Sequence, residues 1–170
     1  KRQYRDNAKS PLIVLPTGGG KTTIFSYVAS NAAEKNKTVY ILAHRAELVK
    51  QISMTLARFN TFHQVVAPPS IVRQCKVEHF KAFNRAFVSN QGLIYVASVQ
   101  TLVNRADILK DHPPDIIIID ESHHLTIGST WGRIIQQFPD AKLLPVTATP
   151  CRMDGLSLIH ISEPTRQAEI

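Results

Sequence analysis

Pro11-Leu12-Ile13-Val14-Leu15-Pro16-Thr17-Gly18-Gly19-Gly20-Lys21-Thr22 is the stretch on which the fold turns. Its apolar half, Pro11 to Leu15, reads as a short buried strand. Its second half runs into Thr23 to Lys35, where Ile24, Phe25, Val28, Ala29, Ala32 and Ala33 recur at helical spacing. A strand, a glycine-rich turn and a helix therefore follow one another directly. Gly18, Gly19 and Gly20 lack Cβ, so backbone N–H groups there can close around phosphate oxygens. The start of the helix adds the positive end of its dipole. In this reading Thr17 to Thr23 form the nucleotide cradle. Lys21 reaches the β- and γ-phosphates and Thr22 ligates Mg²⁺ through its hydroxyl. The strict pattern places a glycine five residues before Gly20, and here that residue is Leu15.

The second decisive stretch is Ile116-Ile117-Ile118-Ile119-Asp120-Glu121-Ser122-His123. Four consecutive isoleucines read as a strand buried on both faces, so Asp120 and Glu121 fall at its carboxyl end, where open parallel α/β folds bind ligands. Asp120 is the candidate for holding Mg²⁺, and Glu121 for orienting and deprotonating an attacking water. Further strands are expected at Thr38 to Ala43, Gln64 to Ala67 (stopped by Pro68-Pro69), Leu93 to Ala97 and Leu143 to Thr147. Helices are expected at Arg45 to Phe59, with Leu48, Val49, Ile52, Leu56 and Phe59 inward, and at about Val77 to Val88, Val99 to Leu109 and Trp131 to Phe138. Alternating strands and helices with continuously apolar strands give an α/β fold, a parallel sheet with helices on both faces.

Composition narrows the function classes. Of 170 residues, 44% are hydrophobic and 19% charged, which supports a packed core and excludes wholesale disorder. Twenty Lys and Arg against thirteen Asp and Glu give a net charge of +7, the sign expected for a polyanionic partner. Cys75 and Cys151 are too few and too far apart for a disulfide scaffold or a four-ligand zinc site, and His79, His112 and Cys75 lack metal-ligand spacing. There is no apolar run of membrane-spanning length and no signal-peptide core, so a cytoplasmic setting without membrane contact is expected. The basic and aromatic mix His79 to Arg85 reads as an amphipathic helix in preference to a nucleic-acid stripe.

Taken together, these pieces resemble the first RecA-like domain of superfamily-2 helicases and translocases, in the DExH group, a branch of the P-loop NTPases. LPTGGGKT is similar to their motif I, in which the first glycine is commonly relaxed. AHRAELVKQ (Ala43 to Gln51) resembles motif Ia, ASVQTL (Ala97 to Leu102) the next nucleic-acid motif, DESH (Asp120 to His123) motif II and VTATP (Val146 to Pro150) motif III. The resemblance implies a RecA-like sheet, ATP and Mg²⁺ as cofactors, and catalytic roles for Lys21, Asp120 and Glu121. It implies that Arg45, Gln100 and Thr101 contact one nucleic-acid strand, with a solvated helix start as the plainer role for Arg45. It implies that His123, Thr147 and Thr149 couple the nucleotide to domain closure; the plainer roles are a surface histidine and strand-end hydroxyls. The double His and the TATPCRMDG string lean toward DNA-directed members, with RNA the lesser expectation.

The resemblance covers Leu15 to Gly155, so residues 1–155 are expected to be a helicase ATP-binding domain, incomplete at its N-terminus. Residues 156–170, LSLIHISEPTRQAEI, resemble the translation of a transposase-based sequencing adapter and are expected not to be native. Without them the chain carries 19 basic and 11 acidic residues, a charge of +8. A second RecA-like domain normally supplies an arginine finger, so this polypeptide alone is expected to be nearly inactive. Two other readings remain open: the motor subunit of a restriction or defence complex, and a non-motor P-loop ATPase.

Overall fold

The four-isoleucine strand lies inside a parallel sheet, and the rest of the domain is arranged about it. A computed structural model describes residues 13–14, 18–120 and 130–148. In chain order the elements are β1 Ile13–Val14, α1 Lys21–Ala33, β2 Val39–Ala43, α2 Ala46–Arg58, β3 Gln64–Val66, α3 Pro69–Phe83, β4 Ile94–Ser98, α4 Val99–Val103, α5 Ala106–Asp111, β5 Ile116–Asp120, α6 Thr130–Gln137 and β6 Lys142–Thr147. The six strands lie in the order β1-β6-β5-β2-β4-β3, and every pairing is parallel.

Because strand side chains alternate, each buried strand feeds two cores. Val39, Ile41, Ile94, Val96, Ile118 and Leu144 pack beneath α1 and α2, against Phe25, Ala29, Val49, Ile52 and Leu56. Tyr40, Leu42, Tyr95, Ile117, Ile119 and Leu143 pack on the other face against Leu102 of α4, Leu109 of α5 and Ile134 of α6. Tyr40 and Tyr95 stack with their centroids 4.6 Å apart. The Tyr40 hydroxyl lies 3.0 Å from the His112 carbonyl oxygen, so its polar end is satisfied inside an apolar layer. At the amino edge, the Asp115 carboxylate accepts from the Thr38 N–H at 2.8 Å and from Lys37 Nζ at 2.9 Å, pinning β2 to β5; the Lys37 hydrogen bond is foremost in holding this carboxyl below its usual range.

Several local expectations are corrected. Helix α1 starts at Lys21, two residues early, because Gly20 itself serves as its N-cap. Pro68-Pro69 does stop β3, but Pro69 also opens α3, where its fixed φ and missing N–H are harmless at the first helical position. That moves the helix expected at 77–88 forward, and Asn84 ends it in a left-handed conformation, φ 54. Asn36 and Asn60 follow α1 and α2 in the same conformation, as short polar side chains tolerate. The helix expected over 99–109 is two short helices, broken at Asn104-Arg105. Phe59, expected inside, caps α2 and lies 38% exposed, edge-on to Tyr27. His79 is fully buried, while Arg85 sits 4.9 Å from the centroid of the Phe87 ring and 5.2 Å from that of Phe62.

A buried polar chain locks α2 to α3. Ser53 Oγ lies 2.7 Å from His63 Nε2 and 3.2 Å from His79 Nε2. His63 Nδ1 faces the Thr61 carbonyl at 2.9 Å, and the Phe87 N–H donates to His79 Nδ1 at 3.3 Å. A carbonyl only accepts and an amide N–H only donates, so His63 carries its proton on Nδ1 and His79 on Nε2. Ser53 then accepts from His79 and donates to His63, and every member is satisfied with both rings neutral. Burial pushes the His63 imidazole down to about 4, and burial lowers His79 as well.

Two outcomes follow from this packing. The unfolded chain takes up a proton near pH 6.5 and folded His63 only near 4. The stability from the neutral ring is thus complete above about pH 6.5 and is lost as pH falls toward 4. Melting temperature should drop over that window, and a His63→Gln variant should show a flatter profile; equal slopes would refute the assignment. Gly92 packs so tightly that a Cβ would lie 2.6 Å from His63 Cα and 2.7 Å from the Phe62 carbonyl oxygen. Gly92→Ala should therefore cost about 1–3 kcal/mol in urea unfolding.

Candidate active site

The parallel register brings the end of every strand to one edge. Val14 pairs with Thr147, Asp120 with Val146, Leu42 with Ile119 and Ala43 with Ser98. The turn after β1, the carboxylate ending β5 and the turns after β2 and β4 are therefore neighbours, although more than 100 residues separate Gly18 from Asp120.

The glycine-rich turn has the shape that phosphate requires. Gly18 and Gly20 adopt φ 80 and 73, which L side chains rarely tolerate. A Cβ on either would meet no atom within 4 Å, so the turn borders open space. Gly20 caps α1 without a side chain, and the first turn carries no acidic residue. The leading N–H groups of α1 are thus not covered by a side-chain cap, at the positive end of a thirteen-residue helix. Lys21 and Thr22 are half-buried at this start, and Thr23 is exposed.

Asp120 is 3% exposed and shares its strand face with Ile118, the face that α1 covers. Only β6 separates β1 from β5, so two strand spacings, roughly 10 Å, lie between the glycine turn and this carboxylate. That gap accommodates a phosphate and a hard cation bound through oxygen. The Thr22 hydroxyl and the Asp120 carboxylate are donors of the right kind for Mg²⁺, so the residues present fit ATP·Mg²⁺. Thr147 is fully buried at the end of β6, next to β1. Thr17, Glu121, His123 and Thr149 lie outside the described residues.

The other half of the edge is polar and exposed. Arg45 is the N-cap of α2, in extended conformation (φ −124, ψ 145), two residues beyond β2. Gln100 is exposed and Thr101 half-buried in α4, just beyond β4. The β2–β4 register sets the two turns side by side. The sequence reading assigned nothing to Ser98, yet its hydroxyl donates to Gln100 Oε1 at 3.0 Å and orients that amide. Its place inside ASVQTL was the available signal. A cavity of about 520 Å³ meets the glycine-rich turn at Thr22; it runs along α2 to Glu78 of α3 and mixes Glu47 and Glu78 with Lys50 and Arg58.

The sheet order and this edge define the first RecA-like domain of a P-loop, helicase-type NTPase. The chain belongs to the family described as type III restriction enzyme, res subunit, whose model matches residues 1–152. It is similar to IRC3 of Saccharomyces cerevisiae, a protein named as an ATP-dependent helicase, with 30% identity over 141 residues, 79% of this chain and 18% of that protein. The helicase domain of Hef from Pyrococcus furiosus is 26% identical with a TM-score of 0.60, over 89% of this chain and 32% of that one. A nuclease-deletion mutant of the type ISP restriction-modification enzyme LlaGI, solved with a DNA substrate mimic, shares the fold at a TM-score of 0.57 and 18% identity, over 92% of this chain and 18% of that one. The chain spans a quarter or less of the length of the curated relatives it matches.

Lys21→Ala should leave the fold intact and weaken nucleotide binding roughly ten- to a hundredfold, the worth of one charged hydrogen bond of about 1.5–3 kcal/mol. Titration with a fluorescent ATP analogue, beside far-ultraviolet circular dichroism, checks this.

Proposed function

We propose that this chain is the ATP-hydrolysing domain of a DNA helicase or translocase, coupling hydrolysis to movement on DNA. The observation that carries the reading is the shared edge. A side-chain-uncapped, glycine-framed helix start and a buried carboxylate lie at one end, and Arg45 and Gln100 project from the adjoining turns. DNA is favoured over RNA by the restriction-enzyme family and by the DNA substrate mimic bound to LlaGI.

In this mechanism the backbone of Thr17 to Thr23 holds the phosphates, and Lys21 draws charge off the transferred phosphoryl group. Thr22 and Asp120 would hold Mg²⁺, which when bound would neutralise phosphate charge. Glu121 orients the attacking water and takes its proton. Arg45, Gln100 and Thr101 grip the backbone of one strand, which gives register without reading bases. His123, Thr147 and Thr149 pass nucleotide state to domain closure. In this reading residues 1–155 are the helicase ATP-binding domain, incomplete at its N-terminus, and residues 156–170 are adapter-encoded. A second RecA-like domain completes the cleft and brings the arginine finger.

The family description also favours a narrower second reading, the motor subunit of a restriction complex. ATP turnover by this chain should be very slow alone and little changed by DNA. Fusion to a second RecA-like domain should raise it by about 10³ or more, with further stimulation by DNA exceeding that by RNA. Robust turnover by the chain alone would overturn the need for a second domain, and no nucleic-acid stimulation of the fusion would falsify the motor reading.

A further inference from the structure

The carboxyl edge continues past Gln100 into a cavity of about 440 Å³ at the rim of the sheet. It is bounded by β3, α3 and the α4–α5 junction. Its walls carry Arg73, Lys76 and Arg105 over an apolar floor that includes Val65, Ala67 and Val72, and among the described residues no carboxylate lines it. We propose that this cavity is a second phosphate-binding place on the nucleic-acid track, seating backbone phosphates of the strand that passes Arg45 and Gln100. The proposal rests on the nucleic-acid reading above and extends it to residues that no motif contains.

Three observations carry it. The first is charge without a partner. All three side chains belong to exposed residues, and among the described residues none has an ion-pair or hydrogen-bond partner. Arg85, by contrast, is taken up by the Phe62 and Phe87 rings, and the cations of the larger cavity face Glu47 and Glu78. Three like charges around one concave surface repel each other in the free protein, and an anion between them removes that cost. The second is presentation. Arg73 and Lys76 are three residues apart on α3 and so share a face. Arg105 stands at the non-helical break between α4 and α5 (φ −128, ψ 50) and closes the cavity from the other side.

The third observation is position. Val66 pairs with Ala97, so Ala67 of the cavity floor lies beside Ser98, from which Gln100 follows directly. Neighbouring strands are about 4.8 Å apart, which puts the cavity roughly 10 Å along the edge from the turn bearing Arg45. At about 3.4 Å per nucleotide that is roughly three nucleotides of duplex strand. The apolar floor suits sugar faces, and cations that meet phosphates give affinity independent of sequence.

The test is fluorescence anisotropy of the full chain with single-stranded DNA of about 16 nucleotides, titrated over a range of salt. The variant is the triple Arg73→Gln, Lys76→Gln, Arg105→Gln. The charge-matched control is Lys35→Gln, Lys81→Gln, Lys110→Gln, three exposed lysines outside the cavity lining. The cavity variant should lose at least about tenfold in affinity, and its salt slope should flatten by about 2, at roughly 0.7 per lost phosphate contact. Nucleotide binding should stay unchanged and melting temperature should hold or rise as the mutual repulsion is removed, and the control's affinity should move by far less. If cavity variant and control behave alike while Arg45→Ala still weakens binding, the cavity proposal is overturned and the motor reading stands. If the unaltered chain binds no strand, both fall.

Discussion

A strand of four isoleucines exposes no polar face, so it must be covered above, below and along both sides. Ile116–Asp120 meets that demand between β2 and β6, with α1 and α2 on one face and α4 to α6 on the other. A strand so enclosed fixes the direction of its neighbours: with helical crossovers covering both faces, the pairings come out parallel. Parallel pairing in turn delivers every strand-to-helix turn to one edge. The nearness of the glycine loop, Asp120, Arg45 and Gln100 is a geometric result of burying that strand.

The site is assembled from parts whose own requirements are local. The glycine turn needs only its φ angles, Asp120 only a strand end, and Arg45 only a place before a helix. A fold of this kind tolerates wide sequence divergence: the LlaGI structure shares it at 18% identity.

This division also decides what the sequence disclosed. The glycine loop and the isoleucine strand were readable because each is set by a few adjacent residues. Helix α3 was misplaced because Pro68-Pro69 carries two meanings, ending a strand and opening a helix, and only packing chooses between them. Phe59 fits helical spacing yet turns outward, because the helix has ended by the time the chain reaches it. The Ser53–His63–His79 chain was invisible, since its members come from two helices and a loop with no shared spacing. Arg73, Lys76 and Arg105 escaped for the same reason: only the β3–β4 register and the α4–α5 break bring them around one cavity. Glu121, His123 and Thr149 were legible as motif members, but they lie outside the described residues.

The start of α1 has a consequence in mass action. Gly20, its N-cap, offers the leading N–H groups no side-chain acceptor, so an anionic ligand bound there would add to the cohesion of this corner. A ligand that binds only the folded domain adds RT ln(1 + [L]/Kd) to its stability. The melting temperature of the domain therefore becomes a function of nucleotide concentration. A protein drawing on a nucleotide pool would loosen first at the glycine loop as that pool falls, with the isoleucine core the last part to register the change.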